Sequence, residues 1–242
     1  MTTKTIRVLD NGYVRLVDHF GTDLTVVNAA RVSFEKESKE LTDKDIRLIH
    51  YLAKHNHLSP FRHCYAQFEI RAPLMVARQW WRHVVGTATV EEGTAWNEAS
   101  RRYVTEEPEF YIPKVWRSAP EHRKQGSGEP LDEITCDRAW ARVYYAMEYA
   151  MSVYRWLLDH GVAPEQARLV LPAYAMYVRW RWTASLNALI HFLKLREGDD
   201  AQSEIRDYAR AVHRLIWPLW PHSLRAWGLA LEEGEVDDAG GD

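Results

Sequence analysis

Apolar and polar positions along this chain switch between two periods, and the switches divide it into strands and helices. Val14, Leu16 and Val17 read as a strand near the N-terminus, and Thr22 stands where a helix over about 23–30 needs its N-cap. Thr42 repeats that role, with Asp45 placing a carboxylate in the first turn of a helix that carries Ile46, Ile49 and Leu52. In CYAQFEIRA, Tyr65, Gln67 and Glu69 alternate with Ala66, Phe68 and Ile70, which predicts a strand with one apolar face. Pro73 fits the first turn of a helix running to about residue 83, with Leu74, Ala77 and Trp81 turned inward.

Residues 84–104 lack sustained periodicity and read mainly as loop. The polar stretch RSAPEHRKQGSGEP separates them from a long helix over about 132–160, ended by Gly161, whose left-handed backbone costs glycine nothing sterically. A short helix opens at Pro164 and stops before Pro172. AYAMYVRWRW follows as a strand, with Tyr174, Met176, Val178, Trp180 and Trp182 on one face and Arg179 and Arg181 on the other. Two more helices, over about 185–195 and 201–216, complete the pattern; the first buries Leu186, Leu189, Ile190 and Leu193. The reading is an α+β fold with a central, mostly antiparallel sheet and flanking helices. Residues 1–230 form one domain in this reading, and the acidic, glycine-rich segment 231–242 is a disordered tail.

Composition restricts the chemistry. With 242 residues and 46% hydrophobic content, the chain can bury one sizeable core. Its 31 basic and 34 acidic residues nearly cancel, so attraction to phosphate must come from local clustering, and a general nucleic-acid partner is disfavoured. Cys64 and Cys136 are too few and too isolated for a disulfide framework or a paired-cysteine zinc site, which fits a reducing, cytoplasmic setting. The N-terminus MTTKTIRVLD carries no apolar signal segment, and no run approaches the roughly 18 apolar residues of a membrane span. GSG at 126–128 lies in a polar loop without the strand-turn-helix context of a phosphate-binding fingerprint.

The densest chemistry lies in RQWWRHVVGTATVEEGTAWNEASRRY, residues 78–103. On a helix, Gln79, Arg82 and His83 stand at i, i+3 and i+4, a face suited to an anion. Small residues follow and leave backbone amides accessible, and NEASRRY adds Asn97, Glu98, Ser100 and Arg102. Guanidinium forks suit phosphate or a pyrimidine carbonyl edge, and a glutamate accepts an imide or hydroxyl proton, so a nucleotide would use both. The competing readings are a solvated ion-pair surface, an RNA-binding module built on Arg179, Arg181 and the aromatics, and a metal hydrolase using His55, His57 and His63. No H-E-x-x-H or comparable ligand helix supports the last of these, and no metal site is expected.

Several phrases carry a resemblance in collinear order: GYVRLVD, AARVSF, HLSPFRH, APLMVARQWWRH, NEASRRY, EFYIP, QARLVLP and HFLKLR. Over about residues 12–217 the chain resembles the flavin-dependent thymidylate synthases. It departs from them in carrying Arg-His-Val where Arg-His-Arg is usual, with Val84 in the third position and the spacer lengthened by GTATVEEGTAW, like a subgroup with an inserted loop over 84–96. Ser185, Asn187 and His191 occupy positions where asparagine or arginine is frequent.

The resemblance implies the thymidylate synthase-complementing-protein fold, assembled as a homotetramer whose active sites form between subunits. It implies methylation of deoxyuridylate (dUMP) to dTMP, with methylenetetrahydrofolate as one-carbon donor, reduced FAD as hydride donor and NADPH regenerating the flavin. Gln79, Arg82, Glu98, Ser100, Arg102, Arg168 and Arg196 are the implied substrate contacts, with Arg196 against the uracil edge as the catalytic residue. Ser59, Arg82, His83, Asn97, Asn187 and His191 are the implied FAD contacts. Read without the resemblance, Arg168 and Arg196 complement the C-terminal ends of their helices, and Asn187 and His191 face water or another subunit. No cysteine nucleophile is required.

Overall fold

The computed structural model describes residues 4–83, 96–99, 107–120 and 126–231, and the backbone alone at 88–89 and 93–94. Strands β1 (Thr5–Val8) and β2 (Gly12–Phe20) form a hairpin, followed by helices α1 (Asp23–Arg31) and α2 (Asp43–Lys54). Both helices open on the expected threonine: Thr22 and Thr42 each form a reciprocal capping box, with Thr25 and Asp45 as third-position partners. A 3-10 turn at Ser59–His63 leads into β3 (Tyr65–Pro73), and α3 (Leu74–Trp80) follows directly.

β3 alternates as predicted, with Ala66, Phe68 and Ile70 buried. Its end differs from the expectation. The strand runs through Pro73, paired with Tyr177, and the next two N–H groups, of Leu74 and Met75, donate to the carbonyls of Met176 and Tyr174. The helix therefore starts one residue late and ends at Trp80. It is Trp80 that is fully buried, whereas Trp81 is 48% exposed. Short strands β4 (Ala88–Thr89), β5 (Gly93–Thr94) and β6 (Trp96–Glu98) lie where a loop was expected, and β6 joins the main sheet.

The 27-residue α4 (Glu133–Asp159) is capped by Asp132, whose carboxylate accepts from the Thr135 N–H at 2.9 Å, and ends before Gly161 at φ 80°. After α5 (Pro164–Ala167) come β7 (Tyr177–Ser185), α6 (Leu186–Arg196), α7 (Ser203–Ile216) and α8 (Pro221–Ala226). The apolar alternation of AYAMYVRWRW enters the strand only from Tyr177, and Tyr174 is exposed ahead of it.

The five-stranded sheet has the order β1-β2-β3-β7-β6 with every pairing antiparallel. One face is apolar: Phe68, Trp180 and Trp182 pack under α3, α6 and α7 with Trp80, Phe192 and Tyr208. The other face is polar, with Glu69 holding Arg15 at 2.8 Å, Arg181 at 3.3 Å and the Tyr13 hydroxyl at 2.8 Å. The early and late parts of the chain close on each other through buried Asp23, whose carboxylate accepts from the N–H groups of His222 and Ser223 at 2.9 Å each and from the Ser223 hydroxyl. Residues 232–242, read as most of the tail, lie outside the described residues. Among the described residues, no helix is long and apolar enough to cross a membrane.

Candidate active site

Three of the predicted residues meet at one cavity of about 1060 Å³. α3 supplies Arg78 and Gln79, the turn after it supplies Trp81 and Arg82, and the end of α6 supplies Arg196. Arg117 and the segment Asp200–Glu204 complete the wall. Because α3 stops at Trp80, Arg82 and His83 do not continue a helical face with Gln79, as the spacing predicted. The chain turns instead, His83 N–H donating to the Trp80 carbonyl at 2.9 Å, and the imidazole goes inward.

That inward turn organises Arg196. Its Nε–H donates to His83 Nε2 at 2.9 Å, so Nε2 must carry a lone pair and the imidazole is neutral with its proton on Nδ1. Burial, the Arg196 guanidinium and His191 together hold the His83 pKa down to about 4, which agrees with that tautomer. Burial and the nearby Arg82 lower the pKa of Arg196, partly opposed by Asp200, but a guanidinium stays charged across the working range. The site thus presents a fixed cation beside further cations. Gln79 is likewise anchored, its Nε2 donating to Gln202 Oε1 while Gln202 Nε2 donates to Glu204 at 2.8 Å.

Glu98 and Arg168 line a different cavity, of about 860 Å³, with Tyr13, Arg71, Tyr177 and Arg179. Arg168 is exposed and its Nε donates to the Glu165 carbonyl at 3.3 Å, the helix-end contact also read from the sequence. Arg71 donates to the Asn11 carbonyl at 2.6 Å, pairs with Glu109 at 2.8 Å and lies 4.8 Å from the Tyr177 ring centroid. A recess of about 320 Å³ touches both cavities: it shares Arg78, Trp81 and Tyr174 with the first, and Leu74 and Glu98 with the second. Within one chain, therefore, Arg168 and Arg196 line separate cavities. Ser100, Arg102 and Val84 lie outside the described residues.

The remaining cofactor candidates divide. His191 sits on α6 with its ring centroid 5.8 Å from that of His83. Asn187, one turn earlier, is buried and does not face water, because α6 is packed on more sides than its leucine stripe implied. Ser59 is exposed at the start of the 3-10 turn that packs on α6. Asn97 pairs with Arg181 on β6 and points to the opposite sheet face from Glu98.

Other chemistry recedes. Burial and Asp23 raise the Cys64 thiol to about 12, too protonated for a nucleophile near neutrality, and Cys136 is buried. His55 and His57 pack with Tyr51 as an aromatic cluster, and among the described residues no group of three or more His, Cys, Asp or Glu could hold a metal. Sequence reasoning missed Arg78, Arg117, Gln202 and Glu204 at the first cavity and Arg71 at the second, where Arg179, named only for the RNA-binding reading, also lines the wall. Arg78 adjoins Gln79 in the chain; Gln202 and Glu204 follow HFLKLR by a few residues. Trp81 was assigned to the core, yet it forms wall: it stacks on Trp96 at 6.0 Å, and Trp96 stacks on Trp180 at 4.7 Å.

Comparison with known proteins bears on what this site is. Residues 15–222 match the family described as thymidylate synthase complementing protein. A flavin-dependent thymidylate synthase of Thermus thermophilus is 43% identical over 231 residues, covering 95% of this chain and 80% of that protein. One from Thermosipho africanus is 39% identical, covering 91% and 92%. A crystal structure of the UMP/dUMP methylase PolB from Streptomyces cacaoi, bound with 5-Br dUMP, superimposes with a TM-score of 0.77 at 31% identity, covering 93% of this chain and 98% of that one.

Proposed function

Because this chain belongs to the thymidylate synthase complementing protein family, we propose that it is a flavin-dependent thymidylate synthase, converting dUMP to dTMP. The carrying observation is the Arg196–His83 pair: a partly buried guanidinium, oriented by a neutral imidazole, at the wall of a cavity with further arginines. Uracil C5 becomes nucleophilic only when electron density moves through the ring from its carbonyl edge. A preorganised guanidinium at that edge stabilises the negative, enolate-like charge held there, the form of the ring from which C5 attacks the one-carbon unit of methylenetetrahydrofolate. His83 keeps Arg196 in place by accepting its Nε–H, and its imidazole stays uncharged near neutral pH.

FAD is the cofactor in this proposal, kept reduced by NADPH, and when bound it supplies the hydride that completes the methyl group. The donor set fits such a group. Arg78, Arg82 and Arg117 give the cavity the positive charge that a pyrophosphate requires, and half-exposed Trp81 offers an indole face to a planar ring. Ser59, Arg82, His83, Asn97, Asn187 and His191 are the proposed FAD contacts, and His83→Ala is expected to weaken FAD retention.

In the proposed assembly, a homotetramer, Gln79, Arg82 and Arg196 of one subunit meet Glu98, Ser100, Arg102 and Arg168 of another on the same dUMP, with Arg102 and Arg168 at its phosphate. Two features support this. Gln79, Arg82 and Arg196 line one cavity of the chain, and Glu98 and Arg168 line another. Furthermore, α4 leaves Trp140, Tyr144, Tyr145, Tyr149 and Trp156 exposed, a large aromatic face suited to burial against other copies. We read residues 1–230 as one domain because a single core runs from Val8 to Leu229. An anaerobic assay with dUMP, methylenetetrahydrofolate, FAD and NADPH tests the function. dTMP should accumulate only with FAD present; formation at the same rate in FAD-free protein refutes the reading.

A further inference from the structure

Three arginines converge away from the two cavities of the proposed site. Arg7 of β1, with Arg210 and Arg214 one turn apart on α7, lines a pocket of about 290 Å³ that also takes in Asp207. Among the described residues, none of these three guanidiniums lies within 4.0 Å of a carboxylate. Asp207 does not balance them alone. Burial raises its pKa, Arg210 opposes that rise, and Arg206 and Arg117 draw on the same carboxylate. Like charges held in one recess repel each other, so the arrangement gains from an anion.

The chain itself carries such an anion and brings it to this helix. Beyond Leu231 the sequence holds Glu232, Glu233, Glu235, Asp237, Asp238 and Asp242 and no basic residue. Its point of departure is fixed. Leu229 is buried, and its carbonyl lies 3.3 Å from Nε2 of buried His213. His213 stands between Arg210 and Arg214 in α7, and at roughly 3.3 Å per extended residue the first few acidic residues span a turn or two of that helix.

We propose that the acidic segment from Glu232 onwards docks in the pocket lined by Arg7, Arg210 and Arg214, its carboxylates pairing with the guanidiniums. The tether gives those carboxylates a high local concentration, so pairs that are individually weak at a surface act together. Two other cations near α8, Lys194 and Arg225, lie over the Trp227 and Trp217 rings at 4.6 and 5.5 Å, and neither lines the pocket. Docked, the segment ties the first strand to α7 and closes a basic recess to phosphate-bearing ligands.

The test places a nitroxide spin label on Gly234→Cys in the full chain and reads its mobility by electron paramagnetic resonance. Cys64 and Cys136 are buried, so the label goes to the introduced thiol. At about 20 mM salt the otherwise unaltered chain should show a slow component, and about 1 M salt should remove most of it. Arg210→Glu with Arg214→Glu should abolish that component, whereas Arg225→Glu should leave it. Glu232→Gln, Glu233→Gln and Glu235→Gln together should act like the arginine reversals without touching the folded domain. Glu232→Lys, Glu233→Lys and Glu235→Lys, added to the arginine reversals, should bring the slow component back. A label equally mobile in the unaltered and reversed chains overturns the proposal, and so does a failure of the swapped charges to restore the signal. A slow component lost equally in Arg225→Glu also overturns it, since that marks attraction to positive surface at large. If the label is mobile while inorganic pyrophosphate, titrated with dUMP and FAD saturating, binds and is weakened by Arg210→Glu, the pocket serves a free anion and the proposal falls.

Discussion

The two cavities differ in how much of their chemistry a single chain holds still. At the first, Arg196 is gripped by an imidazole buried behind it and Gln79 by a relay running to Glu204. At the second, Arg168 is exposed and reaches back to the Glu165 carbonyl at its own helix end, and Glu98 is exposed on a three-residue edge strand. The difference follows from the scaffold. Helices α3, α6 and α7 pack on the apolar sheet face and bring their polar termini together, whereas Glu98 and Arg168 stand exposed, one on the edge strand β6 and the other on the turn after α5. Preorganisation of this kind is what charge stabilisation in a transition state demands, while binding of a phosphate tolerates a looser cation.

Mutations should therefore separate the two. Arg196→Ala is expected to cost the most, roughly 10²–10³-fold in kcat by analogy with the loss of a preorganised donor, with unchanged circular dichroism. Near-normal turnover would remove Arg196 from the catalytic role. His83 should reveal itself through pH. An unfolded imidazole takes up a proton near its ordinary value of 6.5 and the folded one only near 4. Acidification through that window thus favours the unfolded chain, by on the order of 3 kcal/mol in full, and the loss levels off below it. Urea unfolding of His83→Gln, whose carbonyl can still accept from Arg196, should show a correspondingly flatter dependence between pH 6.5 and 4; identical slopes would contradict the buried neutral imidazole.

Smaller effects should follow at the less organised positions. Arg168→Ala is expected to raise the KM for dUMP about tenfold with little change in kcat, as for the loss of one charge-assisted contact. A large fall in kcat with KM unaltered would give it the role assigned to Arg196. Trp81→Ala should cost least, a few-fold in ligand affinity, since an aromatic stacking contact is worth about 0.5–1.5 kcal/mol. No change in the affinity for FAD or folate would return Trp81 to a purely structural part.

Most elements were legible from local rules because those rules act on neighbours in sequence. The capping threonines, the alternation of β3 and Gly161 all needed only adjacent residues. Trp81 and β6 were misread for the opposite reason. Which of Trp80 and Trp81 goes inward depends on where α3 begins, and that is set by Leu74 and Met75 donating to carbonyls about a hundred residues away. β6 is too short to show a period, and it exists because β7 offers it an edge. At the site, Gln79, Arg82 and Arg196 were found through matching phrases. Gln202 and Glu204 escaped because their part is to orient another side chain, which no local pattern records.

The central claim is that these cavities are two halves of one site, completed between subunits. Its most direct measurement is complementation: Arg196→Ala and Arg168→Ala chains are unfolded, mixed in equal amounts, refolded together and assayed at dUMP below its KM. Mixed assemblies should contain sites with both arginines intact, at roughly one random pairing in four, so activity should rise well above the mean of the two parents. Activity equal to that mean, with mixed assemblies demonstrably formed, would contradict the account.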